Sequence, residues 1–176
     1  MFDLWEAWLE VFKKAQPCVY DLTDGQGIPA PAIWHNKVIR SFDGRAHCSG
    51  AVWWALLELL REQTDLEVEL SLAHIEELRK AAWVWNGYPK AGLPLALANA
   101  GLGTYTPTAP QQGDICQLWR RRYTNGHLIV CAGYDNEGNL LEWSASESHP
   151  RGTGIKLFEG AIEEIHTFRF DGSFFR

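Results

Sequence analysis

From Pro110 onward the chain reads as a succession of short strand-like segments, and this run limits the fold more than any other feature. "GDICQLWRR", "GHLIVCAGYD" and "NLLEWSAS" are apolar or alternating stretches, and "GIKLF" and "EEIHTFRF" supply two more. Turn residues join them, Thr124-Asn125-Gly126 first and then Asp135-Asn136-Glu137-Gly138, which predicts antiparallel hairpins. The half before Pro110 has a different texture. Leu4, Trp5, Trp8, Leu9 and Phe12 recur at helical spacing, so residues 2–15 are expected to form an amphipathic helix stopped by Pro17. A helix from about Cys48 to Gln63 follows. Ser71 is placed to cap a third through roughly Lys80, with Glu residues expected three and more positions on. "PLALANAGLG" reads as a short fourth, with Pro94 near its start and glycine at its end. Residues 17–45 and 86–94, rich in Pro, Gly, Asp and Asn, are expected to be loops. Helices first and a meander second predict one α+β domain over residues 1–176, with N-terminal helices packed on a C-terminal antiparallel sheet.

Charge and cysteine usage narrow the function. A net charge of −6 argues against nucleic acid, whose binding rests on many Lys/Arg–phosphate contacts. The one basic run, Arg120-Arg121-Arg122, reads as a solvated strand end. The four cysteines form no C-x-x-C pair, so a zinc site is not expected. Cys116 and Cys131 lie in apolar runs and read as buried thiols. The nine tryptophans are expected mostly in the core. No apolar run is long enough to span a bilayer. The opening "MFDLWEAWLEVFKK" has neither a basic n-region nor an A-x-A site, so no Sec signal is expected.

One junction invites chemistry. In "DGRAHCSGAVWWALLELL" a loop becomes a helix at Cys48. Unsatisfied N–H groups and the macrodipole favour a thiolate there. Ser49 and Gly50 are small enough for a substrate backbone to approach, and the Cys48 backbone N–H can meet a developing oxyanion. A base is then needed, and histidine is the usual one. His127, at the head of the strand after Asn125-Gly126, is the candidate. His47 adjoins the thiol but is read as a poor base, because helix neighbours point apart. His35 is placed in the long loop and could line a cleft. His74 has the spacing of an exposed helical residue, and His149 and His166 give no signal. In "NLLEWSAS" alternation puts Leu140, Glu142 and Ser144 on one face. Glu142 is the candidate to orient the His127 ring, with Ser144 as the alternative.

The order of these pieces resembles the NlpC-type cell-wall peptidases, a papain-like superfamily that includes the CHAP amidases. "HCSGAVWWALL" is similar to the family's nucleophile helix, "QQGDICQLWR" to its first strand, and "NGHLIVCAGYDNEGNLLEWSAS" to its histidine hairpin, over roughly residues 43–146. The resemblance implies a papain-like fold, with Cys48 as nucleophile, His127 as base and the polar residue of the next strand as orienter. Two departures stand out. His47 occupies a position where many members carry Asp, and Glu142 is closer to the CHAP pattern than to the NlpC one. The implied activity is cleavage of an amide in the peptidoglycan stem peptide, with no metal or organic cofactor. Substrate would lie between the loops 17–45 and 84–94, where Tyr20, Trp34, Trp85 and Tyr88 are available. With no Sec signal expected, the resemblance points to delivery by a non-Sec route. That suits a type VI secretion effector with a cognate immunity protein, or a lysin. The competing expectations are a papain-like hydrolase or acyltransferase acting on another amide, and a non-catalytic binding module. The last would gain if Cys48 were buried or far from His127.

Overall fold

The computed structural model describes residues 3–23, 27–64, 69–85, 87–120 and 125–175. Arg121, Arg122 and Thr124, and residues 24–26 of the long loop, lie outside them. The first helix, α1 (Leu4–Lys13), starts where Asp3 Oδ1 accepts from the N–H groups of Trp5 and Glu6. It buries Ala7, Trp8 and Val11. The second, α2 (Cys48–Gln63), is buried on every side from Cys48 to Leu60 and is the central element of the molecule. Burying Val52, Leu56, Leu57, Leu59 and Leu60 contributes roughly 1.5–3 kcal/mol for each side chain. It ends at Thr64, whose N–H and Oγ1 both donate to the Leu60 carbonyl. Next come α3 (Leu72–Ala81) and α4 (Gly92–Asn99). Ser71 caps α3 as expected, but its capping-box partner is His74 rather than a glutamate.

Among the described residues ten strands accompany the helices. Four short ones interrupt the segment expected to be a plain loop: β1 (Val19–Tyr20), β2 (Ala32–Trp34), β3 (Lys37–Arg40) and β4 (Arg45–Ala46). Parallel β1 and β4 pair through two rungs, Val19↔Arg45 and Tyr20↔Ala46. The β2–β3 hairpin turns at His35-Asn36, both with positive φ (48° and 58°). The main sheet holds β5 (Gly103–Thr106), β6 (Ile115–Arg120), β7 (Gly126–Tyr134), β8 (Leu140–Ala145), β9 (Thr153–Leu157) and β10 (Ile162–Phe170). Its order is β5-β10-β6-β7-β8-β9, antiparallel throughout.

The two faces of the sheet differ. Ile115, Leu128, Val130, Trp143 and Phe168 join α1 and α2 in the main core. The Phe12 ring stacks on Trp143 at 4.1 Å and 7°. Cys116, Leu118, Ile129, Cys131 and Leu140 form a smaller cluster with Phe158 and Ile165. The domain is therefore α+β with helices laid on an antiparallel sheet, as the sequence predicts. None of the described helices is long and apolar enough to cross a membrane.

Candidate active site

The N-terminus of α2 meets the sheet where β7 begins and β8 ends, and a cleft of about 430 Å³ opens there. Tyr20, His47, Trp85, Arg120, His127 and Glu142 are among its walls. Cys48, the first residue of α2, lies just beneath them and is 2% exposed. Its surroundings set its chemistry. Burial alone raises a thiol, and it does so for Cys116 and Cys131 in the same chain, the latter pushed up to about 11. Burial opposes ionisation at Cys48 too. The imidazoles of His47 and His127, by charge and by side-chain hydrogen bonds, outweigh it and hold this thiol well below the usual range.

His127 is the complementary partner. Burial works against its charged form, but Glu142 and Cys48 more than offset this and push it up to about 10. Its Nε2 lies 3.1 Å from Glu142 Oε1 and 3.3 Å from Ser144 Oγ. With Nε2 so occupied, Nδ1 is the nitrogen left for the thiol. Glu142 is 1% exposed; burial raises its carboxyl, yet His127 and Lys156 bring it below the ordinary glutamate value. Lys156 Nζ stands 3.5 Å from Glu142 Oε1, reached from the β9 position directly opposite. The alternation of β8 holds, since Leu140, Glu142 and Ser144 do share a face. Ser144 Oγ also reaches Glu142 Oε1 at 3.4 Å, so the two candidates for the orienting role act on the same ring nitrogen.

His47 departs from expectation. It is the N-cap of α2, not a helical residue, and its extended backbone (φ −124°, ψ 156°) turns the ring back over the thiol. Its Nδ1 and Nε2 lie 3.7 and 4.0 Å from Cys48 Sγ. The rule that helix neighbours point apart does not apply to a cap. The ring stacks with Tyr20, at 5.5 Å, and with Trp85, at 6.1 Å. Tyr20 also hydrogen-bonds Cys48. Burial first, and then the thiolate, drive its phenol well above the usual range, so it stays protonated.

Of the four aromatic residues expected along the groove, two line it. Trp34 does not: it is fully buried behind α2, with Nε1 donating to the Leu70 carbonyl at 3.0 Å. Tyr88 is exposed and stacks on Trp83 outside the cleft. His35 occupies the β2–β3 turn, 3.3 Å from the Leu70 carbonyl, also outside the cleft. Arg120 is a cleft residue, which its reading as a strand end missed. Glu147, Lys156 and Glu159 are further charged lining groups that no motif announced. Lys156 had a faint signal, as a lone cation in an alternating strand. The other two follow from how residues 146–159 fold back, which composition does not reveal. Among the described residues no group of three or more His, Cys, Asp or Glu side chains is arranged to hold a metal ion.

No family model matches the chain, and no curated protein or solved structure does either.

Proposed function

We propose that this chain is a papain-like cysteine hydrolase that cleaves an amide bond in the peptidoglycan stem peptide. One observation carries the catalytic part of the reading. Three thiols in this molecule are fully or largely buried, and the only one of them lowered rather than raised is the one at a helix N-terminus beside His127. Burial of Cys48 by itself favours a binding module. A burial-only thiol would go up with Cys116 and Cys131, and its descent is what tells against that reading.

The reaction follows from the residues. The Cys48 thiolate attacks the scissile carbonyl carbon, and the carbonyl electron pair moves to oxygen. The Cys48 N–H, one of the first N–H groups of α2, faces that oxyanion, with the protonated Tyr20 hydroxyl as a second donor. The tetrahedral adduct collapses, the C–N bond breaks, and the His127 imidazolium gives its proton to the departing amine. Neutral His127 then takes a proton from water as the water attacks the thioester. Collapse releases the carboxylic acid and restores the thiolate–imidazolium pair. Glu142 holds the His127 ring in the productive tautomer and stabilises its charge, as the carboxylate of a triad does. The substrate assignment rests on the resemblance of "HCSGAVWWALL" and "NGHLIVCAGYD" to cell-wall peptidases. A cleft carrying both charge signs is compatible with stem peptides, which bear amines and carboxylates.

Purified peptidoglycan incubated with wild type and with Cys48→Ala, followed by mass spectrometry of the soluble fragments, tests this. New fragments with the wild type and none with the variant are expected. Equal product from both ends the nucleophile assignment. No product from either, in a protein whose Cys48 still ionises early, moves the substrate to another amide.

A further inference from the structure

The second half of the reaction sets a charge problem that the first half does not. While His127 is protonated, its imidazolium neutralises Glu142 from 3.1 Å. In the acyl-enzyme the thiolate is gone and His127 must be neutral, because it has to take a proton from the attacking water. Glu142 is then a carboxylate, 1% exposed, beside an uncharged ring. A buried charge without a counter-charge draws a proton from solvent. Whether that proton settles on the carboxylate or on the ring, the base is lost. The Glu142 Oε2 atom gives no relief, since it is buried with no hydrogen-bond partner among the described residues. Any neutralisation has to come from the Oε1 side.

Lys156 stands on that side. It lies on β9 directly across from Glu142 on β8, with Nζ 3.5 Å from Oε1. Its Nζ also donates to Ser148 Oγ at 3.1 Å, which fixes where the charge sits. We propose that Lys156 is a positioning residue for deacylation: its charge balances Glu142 while His127 is neutral, so the Glu142–His127 pair takes up no proton and His127 remains a base. The inference rests on the reading of Cys48 as a nucleophile. Within the Cys48–His127–Glu142–Lys156 group, acylation removes one charge of each sign and leaves Glu142 and Lys156 matched. The same pairing is visible before reaction, where His127 first and then Lys156 hold the Glu142 carboxyl down against burial. The other titratable or charged groups on the cleft walls are Tyr20, His47, Arg120, Glu147 and Glu159, and His149 meets Lys156 as a like charge.

The chromogenic ester p-nitrophenyl acetate tests this without peptidoglycan. The Cys48 thiolate attacks its carbonyl carbon, the C–O bond breaks, and nitrophenolate leaves without needing a proton. The His127 proton goes to solvent. Water then attacks the thioester and gives a proton to His127, and the C–S bond breaks to release acetic acid and the thiolate. The nitrophenolate burst reads acylation, and loss of the acetyl mass from the intact protein reads deacylation. Each protein is measured against its own Cys48→Ala background. Lys156→Met should acylate within about 3-fold of the wild type and deacylate roughly 10–100-fold more slowly near neutral pH. The deficit should close as rising pH strips the pair of its proton. Lys156→Arg keeps the charge and should deacylate within about 3-fold of the wild type. In a Glu142→Gln background, Lys156→Met should add no further slowing, because the carboxylate it serves is gone. Equal deacylation by the wild type and Lys156→Met overturns the proposal. So does a deficit that persists at every pH, adds to that of Glu142→Gln, or is shared by Lys156→Arg, since Lys156 then acts by packing. Should Lys156→Met not fold, Lys156→Gln is read in the same way. A wild type with no burst above Cys48→Ala ends the nucleophile reading itself, and this inference falls with it.

Discussion

Replacing Glu142 by Gln removes one charge from the site and almost no volume. Glu142 Oε1 lies 3.1 Å from His127 Nε2, the carboxylate is 1% exposed, and Oε2 is buried with no hydrogen-bond partner among the described residues. The loss is therefore mainly electrostatic. A hydrogen bond to a charged group contributes about 1.5–3 kcal/mol, and about 1.4 kcal/mol moves a pKa by one unit. His127, held at about 10, should therefore fall to roughly 8–9. Lys156, 3.5 Å from the same oxygen, then loses its counter-charge beside an imidazolium and pushes in the same direction. The same loss of charge stabilisation and ring orientation slows kcat/KM by roughly 10–100-fold near neutral pH. The assay is kcat/KM on peptidoglycan fragments against pH, with an NMR titration of the His127 ring beside it. A basic limb that stays where the wild type has it, with the rate unchanged, refutes the claim that Glu142 holds the imidazolium and moves the orienting role to Ser144.

Two further outcomes follow from the same geometry. Wild-type kcat/KM should rise with pH as the lowered Cys48 thiol ionises, hold through neutrality, and fall as pH passes about 10 and His127 loses the proton it gives to the leaving amine; a fall already complete at the ordinary histidine value contradicts the coupled pair. Gln117 is fully buried, donates Nε2 to the carbonyls of Trp83 and Pro89, and accepts at Oε1 from the Leu93 N–H. Gln117→Leu should lower stability by about 1–3 kcal/mol by leaving those groups unpaired and raise KM more than it lowers kcat, because the segment carrying Trp85 loses its tie to β6; denaturant melts and a KM–kcat comparison check this.

What could be read in advance had local causes. The α2 helix runs from Cys48 to Gln63 as expected because its apolar run and its start are encoded within a few residues. The β7–β8 hairpin and the shared face of Glu142 and Ser144 follow from turn composition and two-residue periodicity. What escaped had distant causes. The β1–β4 pair joins residues about two dozen positions apart, too short a ladder to leave a periodic trace. Trp34 and Trp85 look alike in sequence, and only the path of the chain puts one behind α2 and the other on the cleft wall. His47 lies near the thiol because it is the cap of α2, and a cap obeys different geometry from the helix it starts. The fold class and the Cys48–His127–Glu142 cluster were thus legible, while the ring stacking around His47 and the charged rim were not.

Tyr20 rides on the shortest ladder among the described residues, two rungs long. Val19 N–H to the Gly44 carbonyl and Asp21 N–H to the Ala46 carbonyl hold it there, and its hydroxyl reaches the Cys48 thiol. An open thiolate at neutral pH is prey to peroxide, and oxidation beyond the sulfenic acid cannot be undone in most proteins. Packed under Tyr20, His47 and His127, this sulfur is drawn towards its anion and shielded at once. Its reaction with electrophiles should therefore sort them by bulk rather than by intrinsic reactivity, the small ones slipping past the phenol and the large ones waiting for two hydrogen bonds to part. A two-rung ladder would then set the shelf life of this thiol.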